Sequence, residues 1–496
     1  MRHFTYKNLS ELQQDVETWG ARSVGFENNK SKVTEILSRP VQVGSLRVGN
    51  SMAIHPMEGC DGDLDGRPGE LTIRRYERFA RGGAKLIWFE ATAVSDAGKA
   101  NSRQLSITRA NRDDYSRLYE RILELHRERW GSVDDVLIPI QLTHSGRYSY
   151  ATRTIACHNP HIDRKSNVSP DFPTIGDDDL ERLEDDFVAA AQLAHDAGFR
   201  AVDLKTTHGY LLNELTGAKT REGRYGSPLE NRLRFMVNVL GMLRARFGNK
   251  LILCIRLGCF DSVPYFKDEK AGLGVPADFE TPYPYGFGVD PDNPLRDDTT
   301  EVIDAIRRFR DAGLQLLNVS LGCPYYNPHV TRPFEKPDDG NYEQPEHPLM
   351  GVDRHFRIAG KLQRAIPDLP MVGSGYSWLR KYAINAGAKN VDDGGISFLG
   401  IGRGALAYPD FAADVLEKGE LDELRVCKTL TYCTYLMRRK NHPPRAVPSR
   451  LPAIRQGRLR RNYEAGPRRA APVAADSESL IRYLGSHRMI RASQAE

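Results

Sequence analysis

An ammonium, an imidazole and a phenol fall within six residues of one another at Lys205, His208 and Tyr210. Such a trio can hold a substrate oxygen with its donors and hand a proton to a neighbouring atom. Gly209 removes the side chain that would obstruct a close backbone approach. Convergence requires the chain to turn after Lys205, because residues 205 and 208 of a continuing strand face opposite ways. Just upstream, the apolar-alternating run Phe199, Ala201, Val202 and Leu204 follows a helical pattern that ends at Ala197 and Gly198. That sequence of signals enters a buried parallel strand. Polar groups at the C-terminal tip of such a strand are where α/β barrels carry their sites.

The rest of the chain supplies the elements that would position these groups. Candidate strands lie at residues 51–55, 84–90, 136–142, 199–205, 251–257, 314–320, 369–374 and 396–402. Amphipathic helical patterns separate them at residues 115–128, 177–197, 228–247, 299–312, 353–365 and 377–386. This alternation predicts an α/β fold, a (β/α)8 TIM barrel with catalytic groups on the loops after the strands. The barrel is placed at residues 41–420, after a helical extension at residues 1–40 with Leu9, Leu12, Val16 and Trp19 at helical spacing. The run VQVGSLRVGN reads as a hairpin with Gly44 in its turn, capping the bottom of the barrel. Residues 421–496 form a C-terminal extension, expected to be partly flexible and basic. Two long aromatic-rich segments without periodicity, residues 261–298 and 323–348, are expected to overhang the barrel mouth as a substrate lid.

Composition narrows the class. With 40% apolar and 27% charged residues among 496, the chain can bury a large core, and no run of eighteen apolar residues crosses a bilayer. The first twenty residues are polar and acidic where a signal peptide would be apolar, so a cytoplasmic enzyme is expected. Seven scattered cysteines suit reduced thiols better than a disulfide framework. The net charge of +5 is uneven, since residues 438–496 hold fourteen Lys and Arg against four Asp and Glu. The basic character belongs to the tail, which reads as a solvated or subunit-clasping arm; no nucleic-acid or membrane partner is expected.

The motif HGYLLNEL followed by REGRYGSPLENRLRF resembles the signature of the old yellow enzyme family, the FMN-dependent ene-reductases. The resemblance implies hydride transfer from NADH or NADPH, via flavin N5, to the C=C of an α,β-unsaturated carbonyl compound or thioester. It gives Lys205 and His208 the substrate oxygen and Tyr210 the proton for Cα, although most members have His where Lys205 stands. It assigns flavin contacts to Pro56 and Met57 in AIHPME, Ala91 in EATAV, Gln141 in QLTHSGR and Arg256 in IRLG. Glu58 fills the place after the methionine where the family carries a flavin-tuning Thr or Cys.

The glycine turns at Gly373, Ser374 and Gly375 and at Gly402 with Arg403 follow the last two strands, where barrels hold phosphate through backbone N–H groups. LGIGRGALAYPDF also resembles the family's GRPLLANPDF. Only Cys427 and Cys433 follow the barrel, so the iron–sulfur cluster and second flavin domain of the long branch, which includes 2,4-dienoyl-CoA reductase and trimethylamine dehydrogenase, are not expected, nor is any metal. Electrons would reach FMN from NAD(P)H directly or through a separate reductase. The partner is a small-molecule substrate, with a homo-oligomer left open. The alternatives are a flavin-dependent dehydrogenase or demethylase running oxidatively, and a non-catalytic flavoprotein scaffold.

Overall fold

Each apolar run that reads as a strand becomes one stave of a parallel barrel in the computed structural model, which describes residues 3–337 and 340–434. The Arg-rich tail falls outside these residues. A hairpin of β1 (Val41–Val43) and β2 (Leu46–Val48) precedes β3 (Met52–Ile54), β4 (Leu86–Ile87), β5 (Phe89–Ala93), β6 (Pro139–Thr143) and β7 (Ala201–Thr206). Then come β8 (Ile252–Gly258), the small hairpin β9 (Tyr265–Lys267) and β10 (Gly274–Pro276), and β11 (Leu316–Ser320), β12 (Met371–Gly373) and β13 (Phe398–Ile401). The barrel order is β4-β3-β13-β12-β11-β8-β7-β6-β5.

The stave expected at residues 84–90 is split. Trp88 separates β4 from β5, its amide donates to the Ile54 carbonyl (3.0 Å), and the pairing with β6 shifts register between Phe89 and Thr92. Since β5 directly follows β4, the two ends of the sheet meet and close the cylinder. A bulge there bends the stave that carries Glu90 and Ala91.

The staves present two apolar faces. Outward residues such as Met52, Ile54, Val202 and Leu253 join one core with the surrounding helices. In the helix Leu229–Phe247, Leu233, Met236, Leu240 and Leu243 turn inward, each contributing about 1.5–3 kcal/mol by burial. Residues of the other face, including Ala53, Leu86, Trp88, Ala201, Ile252, Leu316 and Phe398, cluster with Val43 and Val48 of the hairpin. The hairpin therefore plugs the end of the barrel where the strands begin, with Gly44 at φ +54 in its turn.

The N-terminal extension contains two helices, Leu9–Thr18 and Lys30–Leu37. Leu12 and Val16 are buried as their spacing predicts, whereas Trp19 is 47% exposed and stacks on His347 instead (4.6 Å). Both long loops are packed. Tyr283 and Phe287 of the first and Tyr326, Phe334 and Tyr342 of the second are buried. Asn327 Nδ2 donates to the carbonyls of Asp261 (2.7 Å) and Val263 (3.1 Å), joining the two loops.

Candidate active site

The strand tips open on a cavity of about 220 Å³. Pro56, Met57, Gln141, Lys205, His208, Tyr210 and Arg256 line it from the first five staves. Ser374, Gly375, Gly402 and Arg403 line it from the last two. Two residues singled out in the sequence fall outside that lining. Ala91 lies on the split stave, its carbonyl accepting from Gln104 Nε2 (3.3 Å), and the Gly373 carbonyl accepts from His55 Nε2 (3.2 Å).

The predicted turn after Lys205 is made by two successive left-handed residues, His208 at φ +68 and Gly209 at φ +71. It swings Tyr210 back toward Lys205, whose Nζ lies 3.6 Å from the centre of the phenol ring. A Cβ on Gly209 would sit 3.0 Å from Cys323 Sγ, so this crossing of the two loops needs glycine.

Lys205 is not a free ammonium. It is buried and ion-paired with Glu58, whose other oxygen accepts from the Tyr210 hydroxyl (3.0 Å). Tyr325, from the second long loop, is also hydrogen-bonded to that hydroxyl (3.2 Å). Glu58, which the motif comparison noted only as filling the place of a flavin-tuning Thr or Cys, is the residue that joins Lys205 to Tyr210. Its partners are 147 and 152 positions away, beyond the reach of any local pattern. The loop carrying it is fixed from behind: the Gly59 amide donates to Glu90 Oε2 (2.6 Å), and the buried Arg75 bridges Glu90 and Asp61.

Burial acts differently on each titratable group. It lowers the Lys205 pKa, with Glu58 opposing and Arg256 adding to the fall. It holds His208 well below its usual range, helped by Arg256, so the imidazole is neutral at pH 7. It lifts the Tyr210 phenol well above its usual value, keeping it protonated. Arg256 falls to about 10 through burial and remains a cation near neutrality.

Asp203 organises the interior of the site. It accepts from Gln141 Nε2 (2.6 Å), Trp88 Nε1 (2.9 Å) and the Arg256 amide (2.6 Å). This fixes which end of the Gln141 amide remains an acceptor. Arg256 Nη1 donates to the Pro56 carbonyl (3.2 Å), while its buried Nε has no partner among the described residues. At the other end, Arg403 is held by Thr434 and by Cys433 Sγ (3.7 Å).

Burial raises the Asp203 pKa from 3.8 to about 6. The folded state thus keeps this proton to higher pH than the unfolded chain. Its stabilising contribution is full below about pH 4 and lost as pH rises through about 6. Urea melts between those values should show stability declining from this group, and Asp203→Asn should flatten that part of the profile. An unchanged slope in the variant would show that the carboxyl does not titrate in this window.

Residues 37–271 match the model of the NADH:flavin oxidoreductase / NADH oxidase family. An NADPH dehydrogenase from Geobacillus sp. (strain WCH70) is 28% identical over 264 residues, 49% of this chain and 74% of the relative. A probable N-methylproline demethylase from Rhizobium meliloti is 25% identical over 409 residues, 80% of this chain but 51% of the relative. Among solved structures, the old yellow enzyme homologue from Zymomonas mobilis matches with TM-score 0.55 and 19% identity, over 78% of this chain and 94% of that one. A 2-naphthoyl-CoA reductase complex matches with TM-score 0.59 and 17% identity, over 81% of this chain and 55% of that one. The chain thus spans about half the length of the demethylase and the naphthoyl-CoA reductase. Residues 37–271, just under half of the chain, are thus similar to the NADH:flavin oxidoreductase / NADH oxidase family, and the barrel shares the fold of the old yellow enzyme homologue.

Proposed function

We propose that the protein reduces the C=C of an α,β-unsaturated carbonyl compound with electrons from NADH or NADPH. The observation that carries this reading is the meeting of His208, Tyr210, Arg256, Gln141 and both glycine turns on one cavity. Its donor set fits FMN. The turn at Ser374 and Gly375, Gly402 and the tethered Arg403 would hold the phosphate. Gln141 and Arg256 would hold the pyrimidine edge, with Pro56 and Met57 beside the ring. Bound FMN supplies hydride transfer. Arg256 contributes a fixed cation that favours the electron-rich form, its unpartnered Nε supplying a further donor.

Toward the substrate, His208 is a neutral, directional group. Ser320 Oγ engages its Nε2 (3.2 Å), leaving Nδ1 for a substrate oxygen. Tyr210, kept protonated by burial, gives its proton to Cα. Tyr325, from the second long loop, lines the cavity beside Tyr210 and would limit the access of water to it.

The test is anaerobic: NADPH should bleach the yellow protein and cyclohexenone should restore its colour. A protein that is colourless, and stays so after FMN is added, removes this reading. The long alignment with the demethylase favours a second one, oxidation of an amine. In that case candidate secondary and tertiary amines would bleach the flavin without NADPH.

Gly375 sets the phosphate end. It has φ +95, and a Cβ there would lie 2.8 Å from His355 Cβ. Gly375→Val should add about 1–3 kcal/mol of strain in the bound conformation. FMN retention after gel filtration should then fall roughly tenfold or more. Wild-type retention would show that this turn does not touch the cofactor.

A further inference from the structure

The inference rests on the enone-reducing reading and narrows its substrate class. We infer that Lys205 is a covalent catalyst that condenses with an α,β-unsaturated aldehyde or ketone, so that the substrate is reduced as its iminium ion.

Three observations converge on that nitrogen. Lys205 lines the same cavity as His208 and Tyr210, the cavity that would hold the substrate carbonyl. It is ion-paired with the Glu58 carboxylate, a base placed to take its proton. The same carboxylate accepts from the Tyr210 hydroxyl (3.0 Å), so base and acid share one junction. Burial, which already lowers the lysine pKa, favours the neutral nucleophile that condensation requires.

Atoms and electrons balance as follows. Glu58 accepts a proton from the ammonium; the freed lone pair forms the C–N bond while the carbonyl π pair moves to oxygen, which takes the extra proton of the newly bonded nitrogen to give the neutral carbinolamine. Glu58 returns its proton to the carbinolamine hydroxyl, the C–O bond breaks, and water leaves an iminium. Hydride addition at Cβ shifts the C=C pair to give an enamine, and the Tyr210 proton adds at Cα, restoring the iminium. Hydrolysis then releases the saturated carbonyl and Lys205, and solvent reprotonates Tyr210. The net consumption is one hydride and one proton, as without the adduct.

Electrostatics favours the step. An iminium puts its positive charge where the ammonium charge is now, against Glu58 and 3.6 Å from the Tyr210 ring centre, so the ion pair and the cation–π contact both survive. A permanent cation conjugated to the C=C draws hydride to Cβ more strongly than a hydrogen-bonded carbonyl does. Thioesters are excluded as substrates, because amine attack there would acylate the lysine.

The holoenzyme with oxidised FMN and no nicotinamide is incubated with hydrocinnamaldehyde and cyanoborohydride, then peptide-mapped. This saturated aldehyde is no conjugate acceptor and spares the seven free thiols. Lys205 should be alkylated roughly tenfold more than exposed lysines such as Lys7 and Lys250. Wild-type enzyme turning over cyclohexenone in heavy-oxygen water should place solvent oxygen in the product above the enzyme-free control, a readout that needs no variant to fold. Lys205 unlabelled while Lys7 and Lys250 are labelled, or product without solvent oxygen, overturns the inference. Enone reduction with neither signal leaves the ene-reductase reading standing and sinks the imine. Labelled Lys205 without reduction of any enal or enone sinks the ene-reductase reading and, with it, the reductive role of the adduct.

Discussion

Glu58→Ala is expected to cost the folded protein about 3–5 kcal/mol near pH 6, because it leaves the Lys205 ammonium buried and unpaired. The deficit should depend on pH. Without its carboxylate, Lys205 loses the largest influences that raise its pKa, and burial and Arg256, which lower it, are opposed by Cys60 alone. Its folded pKa then lies further below the unfolded value than in wild type, so the unfolded chain binds the extra proton and stability rises with pH. Melts at pH 6 and pH 9 should therefore show the gap to wild type narrowing at the higher value. A gap of equal size at both would mean that the lost packing of the side chain, rather than the stranded charge, is what destabilises. Glu58→Gln serves as the comparison, since its amide oxygen can still accept from Tyr210.

Tyr210→Phe should slow the substrate half-reaction by roughly 10²–10⁴-fold, the usual range for removing a positioned proton donor. Reduction of the flavin by NADPH should proceed at the wild-type rate, since that step uses no proton from the phenol. Burial and the neighbouring Glu58 carboxylate keep Tyr210 protonated, so no loss of activity from its ionisation is expected between pH 6 and pH 9. Stopped-flow traces of the two half-reactions separate the cases. Equal slowing of both would mean that the hydroxyl only braces Glu58 and Tyr325, and the proton would have to come from elsewhere.

Local patterns were enough to locate the staves. The strand predicted at residues 199–205 forms at Ala201–Thr206, and the other seven lie within a few residues of their expected places, because a buried parallel strand is a continuous apolar run. The helix Glu70–Ala80 was missed for a definite reason. Its buried face holds only Tyr76, Phe79 and Ala80 as apolar residues beside Thr72 and Arg75, and the Arg75 charge is compensated by Asp61 and Glu90, partners that no local pattern reveals. The site divides in the same way. Groups on one turn, such as Lys205, His208 and Tyr210, announce themselves by spacing. Glu58, Asp203 and Tyr325 act through partners from other staves and loops, and only the closing of the barrel brings them together. The counter-charge of Lys205 lies on the first stave's loop, out of reach of any local pattern.

The plug made by Val43 and Val48 also bears on kinetics. With the strand-start end of the cylinder stoppered, nicotinamide and acceptor would share the mouth at the strand tips. Each would have to depart before the other arrives, so initial-rate plots at several fixed donor concentrations should run parallel, the mark of a ping-pong cycle.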